Sequence, residues 1–116
     1  MMMYNLASDA KKVVSEMALF LPDEERKRLL FDLEHSTEKP VNEDGSIVAF
    51  DIAGYEKPSS GGSIMFRVEG SVLDEDGSQL TVLLHSDANG RLMELELVRF
   101  DDGSVIRPDW TTLSLF

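Results

Sequence analysis

The side chains best suited to metal or acid–base chemistry are the two histidines, His35 and His85. They fall on different predicted elements, and the segment "HSD" (85–87) adds only one carboxylate, two residues after His85. A transition-metal site needs three or four ligands at helical or hairpin spacing. We therefore expect no metal site. His35 is expected in the last turn of a helix, where a partly cationic imidazole meets the negative end of the helix dipole.

Two other short motifs resemble ligand-binding loops. The segment "DEDG" (74–77) reads like the start of a calcium loop, but the twelfth position counted from Asp74 is His85 rather than the required glutamate. The segment "SSGGS" (59–63) is rich in glycine, yet it lacks a lysine and leads into a strand rather than a helix. We expect the first motif to be a turn in which Gly77 supplies a positive φ. No cofactor is predicted.

Paired carboxylates offer a third kind of chemistry. Glu94 and Glu96 lie on the same face of a predicted strand, about 7 Å apart from the strand rise, and glycosidases place two acids at comparable separations. A general acid needs a cleft that raises its pKa, which the open sheet face of a small domain does not provide. We interpret the pair as a solvated charged face, with Arg67 as a candidate cross-strand partner. The chain is predicted not to be an enzyme; a small hydrolase is the disfavoured alternative.

Length and composition describe one globular domain over residues 1–116. The 116 residues, 42% of them hydrophobic, are enough to bury a core without disulfides or a structural metal. The absence of cysteine excludes a disulfide scaffold and a thiolate nucleophile. The N-terminus lacks an uninterrupted apolar stretch behind a basic head, and no run approaches the roughly 20 apolar residues that cross a bilayer. We expect a soluble protein in the cytoplasm.

Negative charge is concentrated in the second part of the chain. The formal net charge is −11, of which residues 1–40 contribute −2 and residues 41–116 contribute −9. Such a field repels nucleic acid and anionic lipid, and it accelerates encounter with a basic protein surface. Acidity also keeps a small protein soluble, which is the simpler interpretation.

Apolar spacing predicts two helices at the N-terminus. A stripe with the period of an amphipathic helix contains Leu6, Ala10, Val13, Val14, Met17 and Phe20. Pro22 interrupts it and stands at a plausible first-turn position of a second helix, where three acidic residues follow. The apolar face of that helix is expected to contain Leu29, Leu30 and Leu33, and its end is expected near His35 or Ser36.

The period then changes to that of extended strands. Segments 46–52, 62–73, 78–86 and 91–100 read as strands, and Asp-Gly or Asn-Gly turns separate the last three. The segment "SVIRPDW" (104–110) is expected to add a short edge strand, because Pro108 cannot donate to a sheet ladder. The predicted fold is α+β, with two N-terminal helices packed on one face of a four- or five-stranded antiparallel β-meander.

Alternation within the strands predicts which side chains face the helices. One face of the sheet is expected to carry the core residues Ile64, Phe66, Val68, Leu80, Val82, Leu84, Met93, Leu95 and Leu97. The other face is expected to be wetted and to carry Met65, Arg67, Glu69, Thr81, Leu83, His85, Glu94, Glu96 and Val98.

Three motifs carry a resemblance to a known class of protein. They are the "VLDEDG" hairpin (72–77), the "DANGRLMELELVR" strand (87–99) and the closing "DDGSVIRPDW" (101–110). Over about residues 61–110 the chain resembles the β-meander of small bacterial immunity proteins of contact-dependent growth inhibition and other polymorphic toxin systems. The resemblance implies a protein that binds one toxin domain, often a nuclease, and blocks it.

Charge and position suggest which residues would contact such a partner. A nuclease site is basic because it holds phosphates, so carboxylates presented by an inhibitor can take the place of nucleic acid. Trp110 and Tyr55 lie outside the main alternation and are either interface anchors or covers for the protein's own core. The predicted partner-binding residues are Asp74, Glu75, Asp76, Glu94, Glu96, Asp101, Asp102, Trp110 and Tyr55. The alternative is a regulatory or assembly module that binds a partner along a sheet edge.

Overall fold

Two helices and six strands make up the part of the chain that the structure, a computed structural model, describes: residues 6–101 and 103–116. In chain order the elements are a short 3₁₀ turn (Leu6–Ser8), α1 (Ala10–Ala18), α2 (Asp23–Glu34), β1 (Ser36–Pro40), β2 (Ile47–Ile52), β3 (Ile64–Asp74), β4 (Gln79–Ser86), β5 (Leu92–Arg99) and β6 (Pro108–Leu115).

The strands form one antiparallel, strongly curled sheet, with the two helices packed against it as a second layer. The strand order is β1-β2-β5-β4-β3-β6. Strands β3, β4 and β5 form the predicted meander, while the β1–β2 hairpin adds to β5 and β6 returns to pair with β3. The α+β class is therefore confirmed, with six strands rather than four or five.

A single hydrophobic core lies between the helices and the sheet. Leu6, Val14 and Met17 contribute from the first helical segment, and α2 adds Leu29 and Leu33. On the strands, six of the nine predicted core residues are buried: Val68, Leu80, Val82, Leu84, Leu95 and Leu97. Alternation identified five of these positions, on β4 and β5, because those two strands pair regularly there, whereas Val68 is buried within the β3–β4 irregularity.

Two strand residues were misplaced by the alternation, for different reasons. Ile64 is 58% exposed at the first position of β3, where β6 does not pair with that strand. Met93 is only half-buried, and Leu92 takes the core position, because the β4–β5 register shifts by one residue between His85 and Ser86. A one-residue bulge puts a strand out of phase with its neighbour, so the side chains beyond it change face.

Two predicted members of the helical faces are also exposed. Phe20 is 54% exposed because α1 ends at Ala18, and Leu21 is buried in its place. Leu30 is 38% exposed, since the buried face of α2 is completed by a polar residue, Asp32. Helix α2 begins at Asp23, so Pro22 is its N-cap rather than a first-turn residue, and the expected acids lie in its first turn.

The two edge strands of the sheet differ from the prediction: β1 was not predicted, and β6 is longer than expected. Strand β1 lies in the segment "STEKP", which has the composition of a turn, and it is held by backbone pairing from Ser36–Ile52 to Pro40–Val48. The edge strand expected near Pro108 is present and begins at that residue, but it continues to Leu115. Polar edge strands carry little hydrophobic signal, because most of their side chains remain in water.

Removal of the largest fully buried side chain tests the core. We expect Phe50→Ala, at a fully buried position on β2, to lower the free energy of unfolding by about 3–5 kcal/mol. The matched change Phe100→Ala, at an 81% exposed position, should alter it by less than about 0.5 kcal/mol. Urea denaturation followed by circular dichroism measures both, and equal losses would contradict this description of the core.

Candidate functional site

Most of the predicted acidic residues lie at one end of the sheet. Three segments meet there: the β3–β4 turn, the loop between β5 and β6, and the loop between β1 and β2. Asp44 Oδ2 accepts the backbone N–H of Val105 at 3.3 Å. Asp74 accepts the backbone N–H groups of Ile106 and Arg107. We call this region the acidic end. Its described acidic residues are Glu43, Asp44, Asp74, Glu75, Asp76, Asp101 and Asp109.

One guanidinium group organises the acidic end. Arg99, the last residue of β5, donates from Nη1 to Asp74 Oδ2 at 2.9 Å and from Nη2 to Asp76 Oδ2 at 2.6 Å. It also donates from Nε and Nη2 to the two oxygens of Asp101, at 2.6 and 2.9 Å. The planar fork of arginine suits such multiple carboxylate contacts. Three carboxylates are therefore held in fixed positions around one cation.

The carboxylate of Asp74 is buried and fully engaged. Its side chain has 0% exposure, and besides Arg99 it accepts backbone N–H groups from Glu75, Ile106 and Arg107 at 2.7–2.9 Å. A buried charge is tolerated only when it is paired and hydrogen-bonded. Asp74 thus holds the loop after β5 against the β3–β4 turn, and its carboxylate is not available to a partner in this conformation.

The other two carboxylates of this group remain partly exposed and strongly acidic. Asp76 is 39% and Asp101 51% exposed. The hydrogen bond from Arg99, followed by backbone N–H groups of Ser78 and Gly103, holds the pKa of both carboxyl groups below its ordinary value. The same contacts raise the pKa of Arg99 further above its ordinary range. Asp76, Asp101 and Arg99 are therefore charged near neutral pH.

The acidic end keeps a large negative excess after these pairings. Its seven carboxylates face two guanidinium groups, Arg99 and Arg107, which leaves five negative charges. Glu43 and Glu75 are exposed, and a shallow groove lies between Glu75 and Asp109, with Leu73 43% exposed along it. Asp102, another predicted partner-binding residue, lies outside the described residues.

Glu94 and Glu96 lie elsewhere, on the sheet face turned away from the helices. His85 Nε2 contacts Glu96 Oε1 at 3.0 Å, so Glu96 pairs with His85 rather than with the expected Arg67. Glu94 pairs in register with His85 across β4 and β5. The two glutamates are partly buried among strand neighbours and separate from the β3–β4 turn. The structure does not bring them into the acidic end.

A second charged group, at the opposite end of the sheet, joins α2 to the β4–β5 turn. Asp32 is 1% exposed and accepts Nε and Nη2 of Arg91 at 2.7–3.0 Å, together with the backbone N–H of Leu92 at 3.2 Å. The guanidinium of Arg91 stacks on the ring of Tyr55, 4.3 Å from its centroid. Hydrogen bonding to Asp32 raises the pKa of Arg91 above its ordinary value.

The same group holds Tyr55 by its hydroxyl. Tyr55 donates to Asp87 Oδ2 at 2.6 Å and accepts from Asn89 Nδ2 at 3.1 Å. The bond to Asp87, with partial burial, raises the pKa of Tyr55. Burial raises the pKa of Asp87, but hydrogen bonds from Tyr55 and from the N–H groups of the turn outweigh it and hold that pKa below its ordinary value. Tyr55 is thus built into the fold.

Trp110 is also held by contacts within the protein. It lies on β6, is partly buried against the core, and donates from Nε1 to Asp9 Oδ2 at 3.2 Å. Asp9 is the N-cap of α1, so this bond ties the last strand to the first helix. The predicted partner-binding residues are therefore distributed over the acidic end, the open sheet face, the opposite end and an edge strand.

Sequence reasoning missed the residues that organise these groups. Asp32 carried a usable signal, because a carboxylate between Leu29 and Leu33 falls on the buried face of α2 and demands a cationic partner. Arg91 and Arg99 carried none, since nothing in their local sequence distinguishes them from solvated arginines at strand ends. Their roles depend on contacts to residues up to 59 positions away.

Within residues 6–101 and 103–116, no group of three or more histidine, aspartate or glutamate side chains is arranged to hold a metal ion. No helix among these residues has the length and apolar composition to span a bilayer.

Fold and site together define a small α+β domain in which an open antiparallel sheet carries two arginine-centred carboxylate groups at opposite ends. A family model matches residues 5–109, and the chain belongs to that family, which is described as a domain of unknown function (DUF6984). No significant match was found among curated proteins or among solved structures.

Substitution of the buried acid tests its structural role. We expect Asp74→Ala to lower the free energy of unfolding by about 3 kcal/mol or more, because three backbone N–H groups and Arg99 lose a buried partner. Asp76→Ala removes a bond to the same arginine from an exposed position and should cost much less. Urea denaturation of both variants gives the comparison, and similar losses would contradict the role of burial.

The pKa values of Asp76 and Asp101 predict a pH dependence of stability. Both are lowered from an ordinary value of 3.8, so the unfolded chain binds more protons there than the folded protein does. Their stabilisation is complete above pH 3.8 and declines as the pH falls through that value towards the lowered folded values. Denaturation at pH 7, 5, 4 and 3 should show a shallower decline for Asp76→Asn/Asp101→Asn.

The control for that measurement removes two exposed acids from outside the acidic end. Glu24→Gln/Glu56→Gln changes the formal charge by the same amount without touching Arg99. It should retain the decline of the unsubstituted protein below pH 5. Equal slopes for both double variants would show that the Arg99 contacts do not govern the effect.

Proposed function

We propose that this chain is an immunity protein, which binds a bacterial toxin domain through the acidic end and thereby neutralises it. The proposal joins the resemblance of residues 61–110 to immunity proteins with the geometry of the charged groups. The observation that carries it is the excess of five negative charges where the β3–β4 turn and the loop before β6 meet, with Asp74 and Asp76 of this region held by Arg99. The toxin we expect is a nuclease, whose phosphate-binding site is basic.

Preorganisation supports a binding role for these carboxylates. Arg99 and the loop N–H groups fix the positions of Asp76 and Asp101 before a partner arrives, so little conformational entropy is lost on binding. Glu43 and Glu75 stand exposed beside them without a structural bond among the described residues. A basic surface would meet charges that are already oriented, which favours rapid and salt-sensitive association.

The acid–base properties of four carboxyl groups suit electrostatic binding. Hydrogen bonds to the carboxylates of Asp44, Asp76, Asp87 and Asp101 hold the pKa of each below its ordinary value. Groups held in the charged form attract a basic surface. The proposed activity is inhibition by contact.

Recognition of a partner along a sheet edge is the second candidate. It does not depend on the acidic end, and it is favoured by a stretch of β3 that β6 leaves unpaired, between residues 64 and 68. A regulatory or assembly module would use such an edge to add a strand from its partner. The two candidates place the partner at opposite ends of the sheet, which makes them separable by substitution.

Charge reversal at exposed positions of the acidic end tests the leading proposal. We expect Glu43→Lys/Glu75→Lys to slow association with the toxin domain encoded beside this chain by at least tenfold. Raising NaCl from about 50 to 500 mM should slow association of the unsubstituted chain similarly. Surface plasmon resonance gives the rates, and an assay of toxin activity shows whether inhibition is lost.

The control reverses two exposed acids elsewhere, Glu34→Lys/Glu56→Lys, on α2 and in the loop after β2. It changes the net charge equally, so unimpaired binding would locate the effect at the acidic end. Inhibition that survives Glu43→Lys/Glu75→Lys unchanged would remove that region from the mechanism. A toxin domain that neither binds nor loses activity would overturn the immunity proposal itself.

A further inference from the structure

The first part of β3 has a strand neighbour on one side only. Towards β4, Ile64 pairs with Ser86 and Met65 with His85. Towards β6, pairing ends where Glu69 and Phe116 exchange backbone hydrogen bonds at 3.0 Å. Among the residues that the structure describes, none pairs with residues 64–68 on that second side. We call these five residues the free edge of β3.

The free edge is unusually apolar for an unpaired strand. Its sequence is "IMFRV", in which Ile64 and Met65 are 58% and 54% exposed, and Phe116 beside its end is 62% exposed. Natural sheets normally protect an open edge with lysine, proline or a covering loop, since unpaired backbone recruits further strands. The only charged residue here is Arg67. An apolar edge without this protection indicates an interaction surface.

Pockets of similar size lie on both faces of the free edge. One, of about 260 Å³, is enclosed by Glu25 and Arg28 of α2, the β3 residues 64–67, Ser86 and Gly90. The other, of about 250 Å³, lies on the open sheet face between β3 residues 65–69, Leu83 and Phe116. Successive side chains of a strand point to opposite faces. A strand added here would place alternate side chains towards the two pockets.

Two arginines without a salt bridge lie beside the free edge of this acidic molecule. Arg28 and Arg67 both line the pocket beside α2. Arg28 Nη1 donates only a long bond of 3.4 Å to the backbone of Asn89, and neither arginine forms a salt bridge within the described residues. Glu25 lines the same pocket, and Glu69 lines the pocket on the open sheet face, so the formal charges of the surface balance. The two guanidinium groups have no salt-bridge partner among the described residues, and each can therefore pair with an acidic residue of a ligand.

We propose that the free edge of β3 binds an extended segment of another protein by strand addition. Backbone hydrogen bonds to residues 64–68 supply affinity, apolar side chains occupy the two pockets, and an aspartate or glutamate of the ligand pairs with Arg67 or Arg28. A second copy of this chain fits the surface poorly, because two molecules of charge −11 repel each other. This site does not rest on the acidic end.

The probe is a phage-displayed library of random twelve-residue peptides, selected against the full chain. We expect enriched peptides to alternate apolar and polar residues and to contain at least one acidic residue. Synthetic peptides of the enriched sequences should slow amide hydrogen exchange at residues 64–68 and leave the acidic end unchanged. Their affinity should fall at least tenfold in Arg67→Glu and also when the peptide's acidic residue is replaced by lysine.

Lys57→Glu is the matched control, because it makes the same charge change at an exposed loop position outside both pockets. Its peptide affinity should stay within about twofold of the unsubstituted chain. Enrichment of peptides that protect the outer edge of β6 or β1 would overturn the proposal, as would the absence of enrichment. Sedimentation that shows a dimer with residues 64–68 protected would assign the edge to a second copy and equally overturn it.

Discussion

The buried carboxylate of Asp74 is the interaction on which the acidic end depends. It stands at the end of β3, yet it accepts hydrogen bonds from the chain just before β6 and from the last residue of β5. The two carboxylate oxygens of Asp74 accept the backbone N–H groups of the loop before β6, which forms no regular strand pairing of its own. Without this anion the loop would have buried N–H groups and no acceptor for them. Asp74 also binds Arg99, and the same guanidinium holds the exposed carboxylates of Asp76 and Asp101.

The two arginine-centred groups give the charge of this protein two distinct uses. At each end of the sheet, one arginine and a nearly inaccessible aspartate join elements that are distant in sequence, as Arg91 and Asp32 do between α2 and the β4–β5 turn. The remaining acids carry the net charge. The formal value of −11 therefore combines structural ions with surface ions, and only the surface ions can contribute to recognition. The distinction emerges from burial and pairing, which composition does not contain.

The predictable part of the fold is the part determined by local periodicity. Helical spacing identified Val13, Met17 and Leu29 as buried, and alternation identified Val82 and Leu95, because in each case the element is regular over that stretch. Strand β1 was missed since its stability comes from pairing with β2, a tertiary contact that leaves no apolar pattern behind. The bulges were missed because they depend on register between strands.

The sequence predicted the negative charge of the candidate site but not the positions of its residues. An acidic patch at the hairpin ends followed from the Asp-Gly turns, and the structure does bring Asp74, Asp76 and Asp101 together. That one of them is buried, and that Tyr55 and Trp110 are tied to Asp87 and Asp9, follows from long-range contacts alone. Local sequence patterns do not predict hydrogen bonds between residues this far apart in the chain.

The bond between Trp110 and Asp9 joins residues 101 positions apart, and β6 is the strand that covers most of the outer side of β3. During synthesis, helices α1 and α2 and strands β1 to β5 leave the ribosome before β6 exists. Until β6 is made, the side of β3 that faces away from β4 is an unpaired strand edge along its whole length, from Ile64 to Asp74. Folding is slow when such distant partners must meet, and nascent chains with open strands are prone to aggregate. Pairing with β6 therefore covers residues 69–74 of β3 only after the preceding elements have been made.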